Sequence, residues 1–183
     1  MPSRSSGAPE RVLRLVAARG ARRLVIDGRS GAGKTTLART VAAGWPGGAA
    51  QLVSLDELYP GWGGLREGAA LACSLLLAPH LARERGRYRR FDWGAGTFAG
   101  EAVEIDPERA LVVEGCGALT GSSARMADAA VWLDGDAEER RRRALERDGD
   151  GFRPHWERWA AQEELHIAAE RPRERAHLRL RMP

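Results

Sequence analysis

Lysine and asparagine are nearly missing from this sequence. Asparagine does not occur at all, and Lys34 is the only lysine among 29 basic side chains, the other 28 being arginines. The composition is therefore strongly biased towards arginine. An ammonium group acts as a compact point charge and a guanidinium group as a planar fork. The one lysine thus marks a position where a point charge is needed.

Cysteine is also scarce, and long hydrophobic runs are absent. Cys73 and Cys116 lie far apart without the spacing of a metal site, so we expect two reduced, buried thiols and no disulfide framework. The longest apolar run, near residues 71–79, is too short to cross a bilayer, and no signal peptide is recognisable. These absences predict a cytoplasmic protein without a membrane partner.

Length and charge favour a single domain that handles small molecules. The chain has 183 residues, of which 43% are hydrophobic, enough for one domain over 1–183 with a sizeable core. Residues 1–8 are small and polar, and we expect them to be disordered. The net charge is only +4, with 25 acidic residues interspersed among the basic ones. A nucleic-acid partner is therefore not favoured, and the oligomeric state is left open.

A glycine-rich stretch matches a phosphate-binding pattern at every fixed position. Residues 28–35, GRSGAGKT, fit G-x-x-x-x-G-K-[ST]. The apolar run 24–26 in front of it predicts a buried strand, and residues 36–43 behind it predict a helix that ends at Gly44. Strand, glycine loop and helix form the context in which this pattern, the P-loop, binds a nucleotide.

Each part of the P-loop suits a nucleoside triphosphate. Its glycines let successive N–H groups converge on a phosphate at a helix N-terminus. Lys34 brings positive charge to the outer phosphates, and the Thr35 hydroxyl is placed to ligate Mg²⁺. We therefore expect ATP and Mg²⁺ as cofactors. The predicted nucleotide-binding residues of the loop are Gly28, Ser30, Gly31, Ala32, Gly33, Lys34, Thr35 and Thr36.

Predicted strands alternate with predicted helices along the rest of the chain. Strands are expected at 51–55, 110–115, 129–134 and 178–180, with a short one at 101–105, and helices at 9–20, 65–85 (broken at Pro79), 137–147 and 156–171. This alternation predicts an α/β fold of the P-loop NTPase type, a parallel sheet with helices on both faces. Ligands bind at the carboxyl ends of such strands, where Asp56, Glu114 and the P-loop fall.

The two acids at the strand ends suit different tasks. Asp56 is predicted to be a general base that orients an acceptor hydroxyl and takes its proton as the γ-phosphoryl group is transferred. Its alternative role is to cap a loop. Glu114 is predicted to hold a water on the magnesium ion, and its alternative is a structural acid bound to loop N–H groups.

An arginine-rich helix is the second informative stretch. Arg140, Arg143 and Arg147 recur at i, i+3 and i+7, which places them on one helix face. Three arginines repel one another without an anion, and a triphosphate would relieve this repulsion by closing about residues 136–153 as a mobile lid. The prediction of a lid rests mainly on the family resemblance given below. Arg143 and Arg147 are the catalytic candidates, and Arg140 and Arg143 the nucleotide-binding ones. The alternative is a solvated helix with Glu–Arg pairs four residues apart.

Aromatic residues and one further acid are candidates for an acceptor pocket, because aromatic faces with a carboxylate suit a sugar or a planar ring. The residues predicted to line it are Tyr59, Trp62, Asp92 and Trp93. Residues 91–93 are placed in a glycine-rich connection. The alternative for Trp62 and Trp93 is packing in the core or a place on the surface. Trp156 and Trp159 are expected to anchor a helix in the core rather than to contact a ligand.

These motifs resemble those of the uridine kinases and their nicotinamide-riboside kinase relatives. Residues 56–59 (DELY) are similar to the D-x-F-Y motif of that family, 91–93 (FDW) to its Y-D-F element, and 111–115 (LVVEG) to its third-strand L-E-G motif. The residues that fall on the R-x-x-R-x-x-x-R-D pattern of its lid helix are Arg140, Arg143, Arg147 and Asp148. The elements follow the family's order, with Leu58 in place of a phenylalanine and Ala144 in place of an arginine.

The resemblance implies a P-loop kinase that uses ATP and Mg²⁺ to phosphorylate a hydroxyl of a small metabolite, a class that includes nucleosides. It supports a small-molecule kinase better than a uridine kinase in particular. The alternative is a regulatory nucleotide-binding NTPase, or switch, with a macromolecular partner. Asp56 separates the two, because a switch has no need of a base beside an acceptor site.

Overall fold

A parallel sheet of five strands forms the centre of the computed structural model, which describes residues 7–182. The strands in this range are β1 (Arg23–Gly28), β2 (Gln51–Ser54), β3 (Gly86–Asp92), β4 (Thr97–Ile105), β5 (Leu111–Glu114), β6 (Ala129–Asp134) and β7 (Leu178–Arg181). Across the sheet the order is β2-β5-β1-β6-β7, and each neighbouring pair is parallel. β3 and β4 form a separate antiparallel pair. The predicted α/β fold is therefore confirmed.

Helices cover both faces of this sheet. They are α1 (Ala8–Ala18), α2 (Lys34–Ala43), α3 (Leu65–Ala72), α4 (Ala78–Leu81), α5 (Gly121–Met126), α6 (Ala137–Phe152), α7 (Trp156–Glu170) and α8 (Pro172–Arg175). Side chains alternate along a strand, so Leu24 and Ile26 of β1 pack with α1 and α2, whereas Val25 packs in the core beneath α3 and α7. Within residues 7–182, no helix is both long enough and apolar enough to span a membrane.

The first helix begins earlier than the sequence predicted. Ala8 is its first residue and is buried, so the expectation of disorder over 1–8 is wrong at that position. Pro9 follows, where a proline is tolerated because the first N–H groups of a helix have no partner inside it. Gly7 is described as an exposed turn residue, and residues 1–6, which carry the rest of that expectation, lie outside the described residues.

The glycine-rich connection predicted at 91–93 is wrong, because Phe91 and Asp92 end β3. The short strand predicted at 101–105 is also longer, since β4 begins at Thr97. Phe91 pairs with Phe98 across the hairpin. The four arginines of residues 85–90 hid this strand, because it contains few apolar residues and packs beside the sheet rather than within it.

The predicted helix 65–85 is interrupted before Pro79 rather than at it. α3 gives way to a π-helical turn over Cys73–Leu77, and α4 then ends at Leu81. Pro79 has no N–H to donate to the carbonyl four residues earlier, which is that of Leu75. This carbonyl faces the start of β3, where a side chain on Gly86 would lie 2.5 Å from it.

Gly68→Ala should destabilise the protein, although alanine favours a helix over glycine by about 1 kcal/mol. A Cβ at Gly68 in α3 would lie 2.5 Å from Cδ1 of Tyr59. Tyr59 is 1% exposed, and its hydroxyl donates to the carbonyl of Cys116 at 2.7 Å, so its ring is held in place. We expect a net loss of about 1–3 kcal/mol in urea denaturation. Gly151→Ala in α6 is the control, since its Cβ would meet nothing within 4 Å; equal stabilities of the two variants would contradict this packing.

Candidate active site

The P-loop, residues 28–35, connects β1 to α2 and turns tightly at two glycines. Gly31 and Gly33 have φ angles of 76° and 89°, in the left-handed region that favours glycine. A second constraint acts at Gly31, because a Cβ there would lie 1.9 Å from the carbonyl oxygen of Arg140 in α6. The loop therefore leads into the N-terminus of α2 with the shape of an anion-binding turn.

Lys34 begins α2, and its ammonium group turns back across the loop. Nζ donates to the carbonyl oxygen of Arg29 at 3.0 Å and to Sγ of Cys116 at 3.3 Å. Burial lowers the pKa of Lys34, but the neighbouring sulfur and carboxylates together raise it above its usual value. The side chain is therefore a charged ammonium at neutral pH, as contact with phosphate requires.

Thr35 and Glu114 bring two oxygen atoms together beside the loop. Thr35 Oγ1 donates to Glu114 Oε1 at 3.0 Å. Glu114 is the last residue of β5 and is only 1% exposed, so its position is set by the sheet. A hydroxyl oxygen and a carboxylate oxygen are the donors that Mg²⁺ prefers. The two residues thus fit the magnesium site that the sequence predicts.

A cavity of about 410 Å³ opens beside the P-loop. It extends from the loop to a group of aromatic side chains, and the C-terminal part of α6 borders it. Its lining consists of Ser30, Gly31, Lys34, Thr35, Asp56, Tyr59, Trp62, Trp93, Glu114, Gly115, Cys116, Arg147, Asp148, Gly151, Phe152 and Trp159. The predicted phosphate site and the predicted acceptor pocket therefore share one space.

Asp56 lies in the 3₁₀ turn Leu55–Glu57, directly after β2. The indole N–H of Trp93 in the hairpin loop donates to the Asp56 carbonyl at 3.0 Å, which holds the backbone at this point. Partial removal from water raises the pKa of the Asp56 carboxyl, and the charge of Glu114 adds to the rise. A carboxylate with a raised pKa is a better proton acceptor at neutral pH.

Aromatic rings form another wall of the cavity. Tyr59 is buried and meets the ring of Trp159 edge-on, with the centroids 4.8 Å apart. Trp62 contacts Trp93 at a centroid distance of 4.6 Å and stacks on Phe152 at 5.2 Å. Trp159 is buried in the core, as expected, and lines the cavity as well. The two alternatives that the sequence left open for it are therefore not exclusive.

Arg140, predicted to bind the nucleotide, contacts the protein backbone here. It is 6% exposed, and its guanidinium donates to the carbonyls of Ser30 at 3.2 Å and Gly135 at 3.3 Å. Burial lowers the pKa of Arg140 from its usual value, although an arginine remains charged at any pH near neutral. Contact between Arg140 and a nucleotide stays a prediction.

The other two arginines of the predicted lid face, Arg143 and Arg147, each have an acidic neighbour. Arg143 pairs with Glu139, Nε to Oε1, at 3.2 Å. Arg147 lines the cavity and pairs with Asp148, Nη2 to Oδ2, at 2.5 Å. Each of these two arginines thus has an acidic partner within the chain, which offsets repulsion between them in the absence of an anion. Movement of residues 136–153 as a lid stays a prediction, with Gly149 (φ 57°, ψ −139°) interrupting α6.

The cavity brings together more than half of the predicted site. The predicted residues that line it are Ser30, Gly31, Lys34, Thr35, Asp56, Tyr59, Trp62, Trp93, Glu114 and Arg147. The described residues that lie outside the lining are Gly28, Ala32, Gly33, Thr36, Asp92, Arg140 and Arg143. Asp92 accepts the N–H groups of Gly94 and Ala95, each at 2.9 Å, so its binding of a substrate stays a prediction.

One buried acid behind the P-loop was missed. Asp27 in β1 accepts the N–H groups of Gly28, Gly117 and Leu119 at 2.6, 2.9 and 2.9 Å, and its Oδ2 lies 2.9 Å from Nε2 of His166 in α7. An acid in an otherwise apolar strand, directly before a P-loop, was a signal that could have indicated this network.

Glu163 was missed as well, and no local signal could have found it. Its Oε1 accepts the N–H of Ser30 at 2.7 Å and the hydroxyl of Ser30 at 2.8 Å. Glu163 is one of several acids in the mixed polar sequence of α7. Which of them turns inward depends on how the helix packs against the P-loop, a property of the tertiary structure.

Comparison with known proteins identifies the fold. No family model and no curated protein matches the sequence. A protein described as a possible uridine kinase, from Bacillus stearothermophilus, has a TM-score of 0.68 and 18% identity over 94% of this chain and 97% of its own. A candidate fructose transport system kinase from a Silicibacter species has a TM-score of 0.67 and 20% identity over 94% and 98%. The chain therefore has the fold of P-loop kinases, which confirms the predicted fold class.

Asp27→Asn should destabilise the protein by about 2–4 kcal/mol, because a buried charged acceptor of several N–H groups is replaced by an amide with one oxygen. The amide NH₂ of asparagine cannot accept hydrogen bonds, so it would leave backbone N–H groups without an acceptor. The free energy of unfolding in urea measures the loss. Asp92→Asn is the matched control, since one oxygen of Asp92 accepts both of its exposed N–H groups and an asparagine keeps that oxygen. Similar small losses in both variants would contradict the importance of the Asp27 network.

Proposed function

We propose that this chain is a kinase that uses ATP and Mg²⁺ to phosphorylate a hydroxyl group of a small metabolite. The observation that carries the proposal is that Asp56 lines the same cavity as Lys34 and Thr35 of the P-loop. The loop supplies phosphate binding, which many classes of nucleotide-binding protein share. A carboxylate with a raised pKa in the same space supplies what transfer to an alcohol needs in addition.

Nucleotide binding in this proposal uses the P-loop backbone and its lysine. The N–H groups at the start of α2 donate to phosphate oxygens, and Lys34 exchanges its contacts with the Arg29 carbonyl and the Cys116 sulfur for contacts with phosphate. Arg147 adds positive charge from α6. Thr35 would hold the magnesium ion directly and Glu114 through a water. The bound ion neutralises charge on the phosphates.

Phosphoryl transfer in this proposal depends on Asp56. The carboxylate orients the acceptor hydroxyl and accepts its proton, while the hydroxyl oxygen bonds to the γ-phosphorus. The bond between that phosphorus and the bridging oxygen breaks, and ADP leaves with the electron pair. The proton then passes from Asp56 to solvent. Little covalent chemistry is asked of the protein, so position and charge neutralisation provide the rate enhancement.

The aromatic wall supports an acceptor that carries a ring. Faces such as those of Trp62 and Trp93 pack well against a sugar or a planar heterocycle. The two structural neighbours are described in terms of uridine and fructose, which both present ring hydroxyls. We therefore propose a small ring-bearing alcohol, a class that includes nucleosides, and a cytoplasmic reaction with no membrane or nucleic-acid partner.

Asp56→Asn should separate phosphoryl transfer from nucleotide binding. The change keeps the shape of the pocket and removes the base, so ATP affinity measured by calorimetry should stay within a few-fold. Acceptor-dependent ADP release, screened over nucleosides, sugars, vitamins and aminoglycosides, should fall by about 10²–10⁴. Lys34→Ala is the contrasting variant. It should lose nucleotide affinity and turnover together, because the sequence has no other lysine.

Two results would change this assignment. If Asp56→Asn lost nucleotide binding, the residue would be a magnesium ligand or a structural acid rather than a base. If it altered neither quantity, the proposed kinase would lose its candidate base. A nucleotide-dependent switch with a macromolecular partner would then replace the kinase as the proposed function.

The pH dependence of the reaction should report the charge around Asp56. The base must be ionised, so kcat/KM falls as the pH drops through its pKa. Since that pKa is raised, the acid limb should lie above pH ~4, the range of an ordinary aspartate. Arg147 lowers the pKa of Asp56, so Arg147→Met should shift the limb to higher pH. Arg141→Met, whose side chain lies near Trp156 and Glu157, should leave it unchanged; equal shifts would contradict Asp56 as the base.

A further inference from the structure

Helix α7 holds the P-loop through one buried carboxylate. Glu163 is 4% exposed, and a single oxygen of it accepts both the N–H and the hydroxyl of Ser30, at 2.7 and 2.8 Å. Ser30 is the third residue of the loop and lines the cavity. A side chain from more than a hundred residues away in sequence thus binds the first half of the loop by two bonds.

The carbonyl and the hydroxyl of Ser30 make further contacts. Its carbonyl oxygen accepts from the buried guanidinium of Arg140 at 3.2 Å, and its hydroxyl lies 3.4 Å from the Cys116 sulfur. That sulfur in turn lies 3.3 Å from Nζ of Lys34. Burial raises the pKa of Cys116 to about 12, so the thiol is neutral at ordinary pH. A continuous series of contacts therefore leads from Glu163 to the ammonium group of Lys34.

The charge of Glu163 is unfavourable for the ligand of this loop. A carboxylate near a site for a polyanion lowers the affinity for that anion by Coulomb repulsion, and burying a carboxylate costs free energy unless its hydrogen bonds compensate. A contribution from Glu163 to nucleotide binding must therefore come from geometry. Glu163 acts through the two hydrogen bonds that it accepts, from the N–H and from the hydroxyl of Ser30.

We propose that Glu163 is a positioning residue for the P-loop, which keeps Ser30 in place and thereby preorganises the loop for phosphate. The inference rests on the proposed function, since it takes a nucleotide as the ligand. Glu163 touches neither the phosphates nor the acceptor in this account. It acts by removing alternative conformations of residues 29–31, so that the N–H groups that follow need not be ordered when the nucleotide binds.

Two substitutions distinguish position from charge. Glu163→Gln keeps an oxygen that accepts from Ser30 but removes the negative charge, so ADP affinity should be unchanged or slightly tighter. Glu163→Ala removes the acceptor, and ADP affinity should fall by about tenfold, the effect of losing a hydrogen bond to a charged group. Glu157→Ala is the control in the same helix, because this acid is largely exposed and its partner is Arg141 in α6, outside the P-loop.

The measurement is calorimetry with ADP and Mg²⁺ on the full chain, with circular dichroism to establish that each variant is folded at the titration temperature. A double-mutant cycle with Ser30→Ala follows, in which the effects of Glu163→Ala and Ser30→Ala should be less than additive. Weak affinity in Glu163→Ala, rescue in Glu163→Gln and a normal Glu157→Ala support the proposal.

Other results overturn it. Equal losses in Glu163→Ala and Glu163→Gln would mean that the charge matters and not the position. Normal ADP affinity in a folded Glu163→Ala, with wild-type binding intact, would remove the positioning role and leave the proposed kinase untouched. If Glu163→Ala fails to fold, loss of ADP affinity in the folded Glu163→Gln protein overturns the proposal on its own. Absence of nucleotide binding by the wild-type chain would overturn the proposed function and this inference together.

Discussion

The buried carboxylate of Asp27 is the interaction on which the arrangement of the site depends. Its two oxygens take N–H groups from the first residue of the P-loop and from the turn after β5, and one of them also contacts the imidazole of His166 in α7. These three segments carry the phosphate loop, the residues next to Glu114 and one wall of the cavity. A buried acceptor with this many donors is satisfied in few arrangements, so it fixes the segments relative to one another.

Patterns that are local in sequence predicted most of the fold. The P-loop, the apolar strands and the acids at the strand ends each have a signal within a few residues, because a parallel sheet is buried on both faces and its strands are therefore continuous apolar runs. Asp56 and Glu114 each follow or end such a strand, and the carboxyl ends of parallel strands lie at one edge of the sheet, so both acids could be placed at that edge. Topology then brings them to the loop without any long-range information.

Features that depend on packing between distant segments could not be predicted in this way. The helical spacing of Arg140 and Arg147 is real, but their surroundings are set by what lies opposite each residue: a P-loop carbonyl for Arg140 and the open cavity for Arg147. The hairpin of β3 and β4 was predicted only over residues 101–105, because about half of its residues face solvent. Glu163 was missed because it differs from the neighbouring acids of α7 only in its three-dimensional environment.

The single lysine has a consequence for the covalent chemistry of this protein. Within these 183 residues, acetylation, glycation and ubiquitin attachment at a side-chain amine have one target. That target is 8% exposed at the start of α2, with its ammonium group between a backbone carbonyl and a thiol. Arginine supplies the positive charge everywhere else. The surface of the chain therefore carries its basic character without offering any lysine to acylating enzymes or reagents.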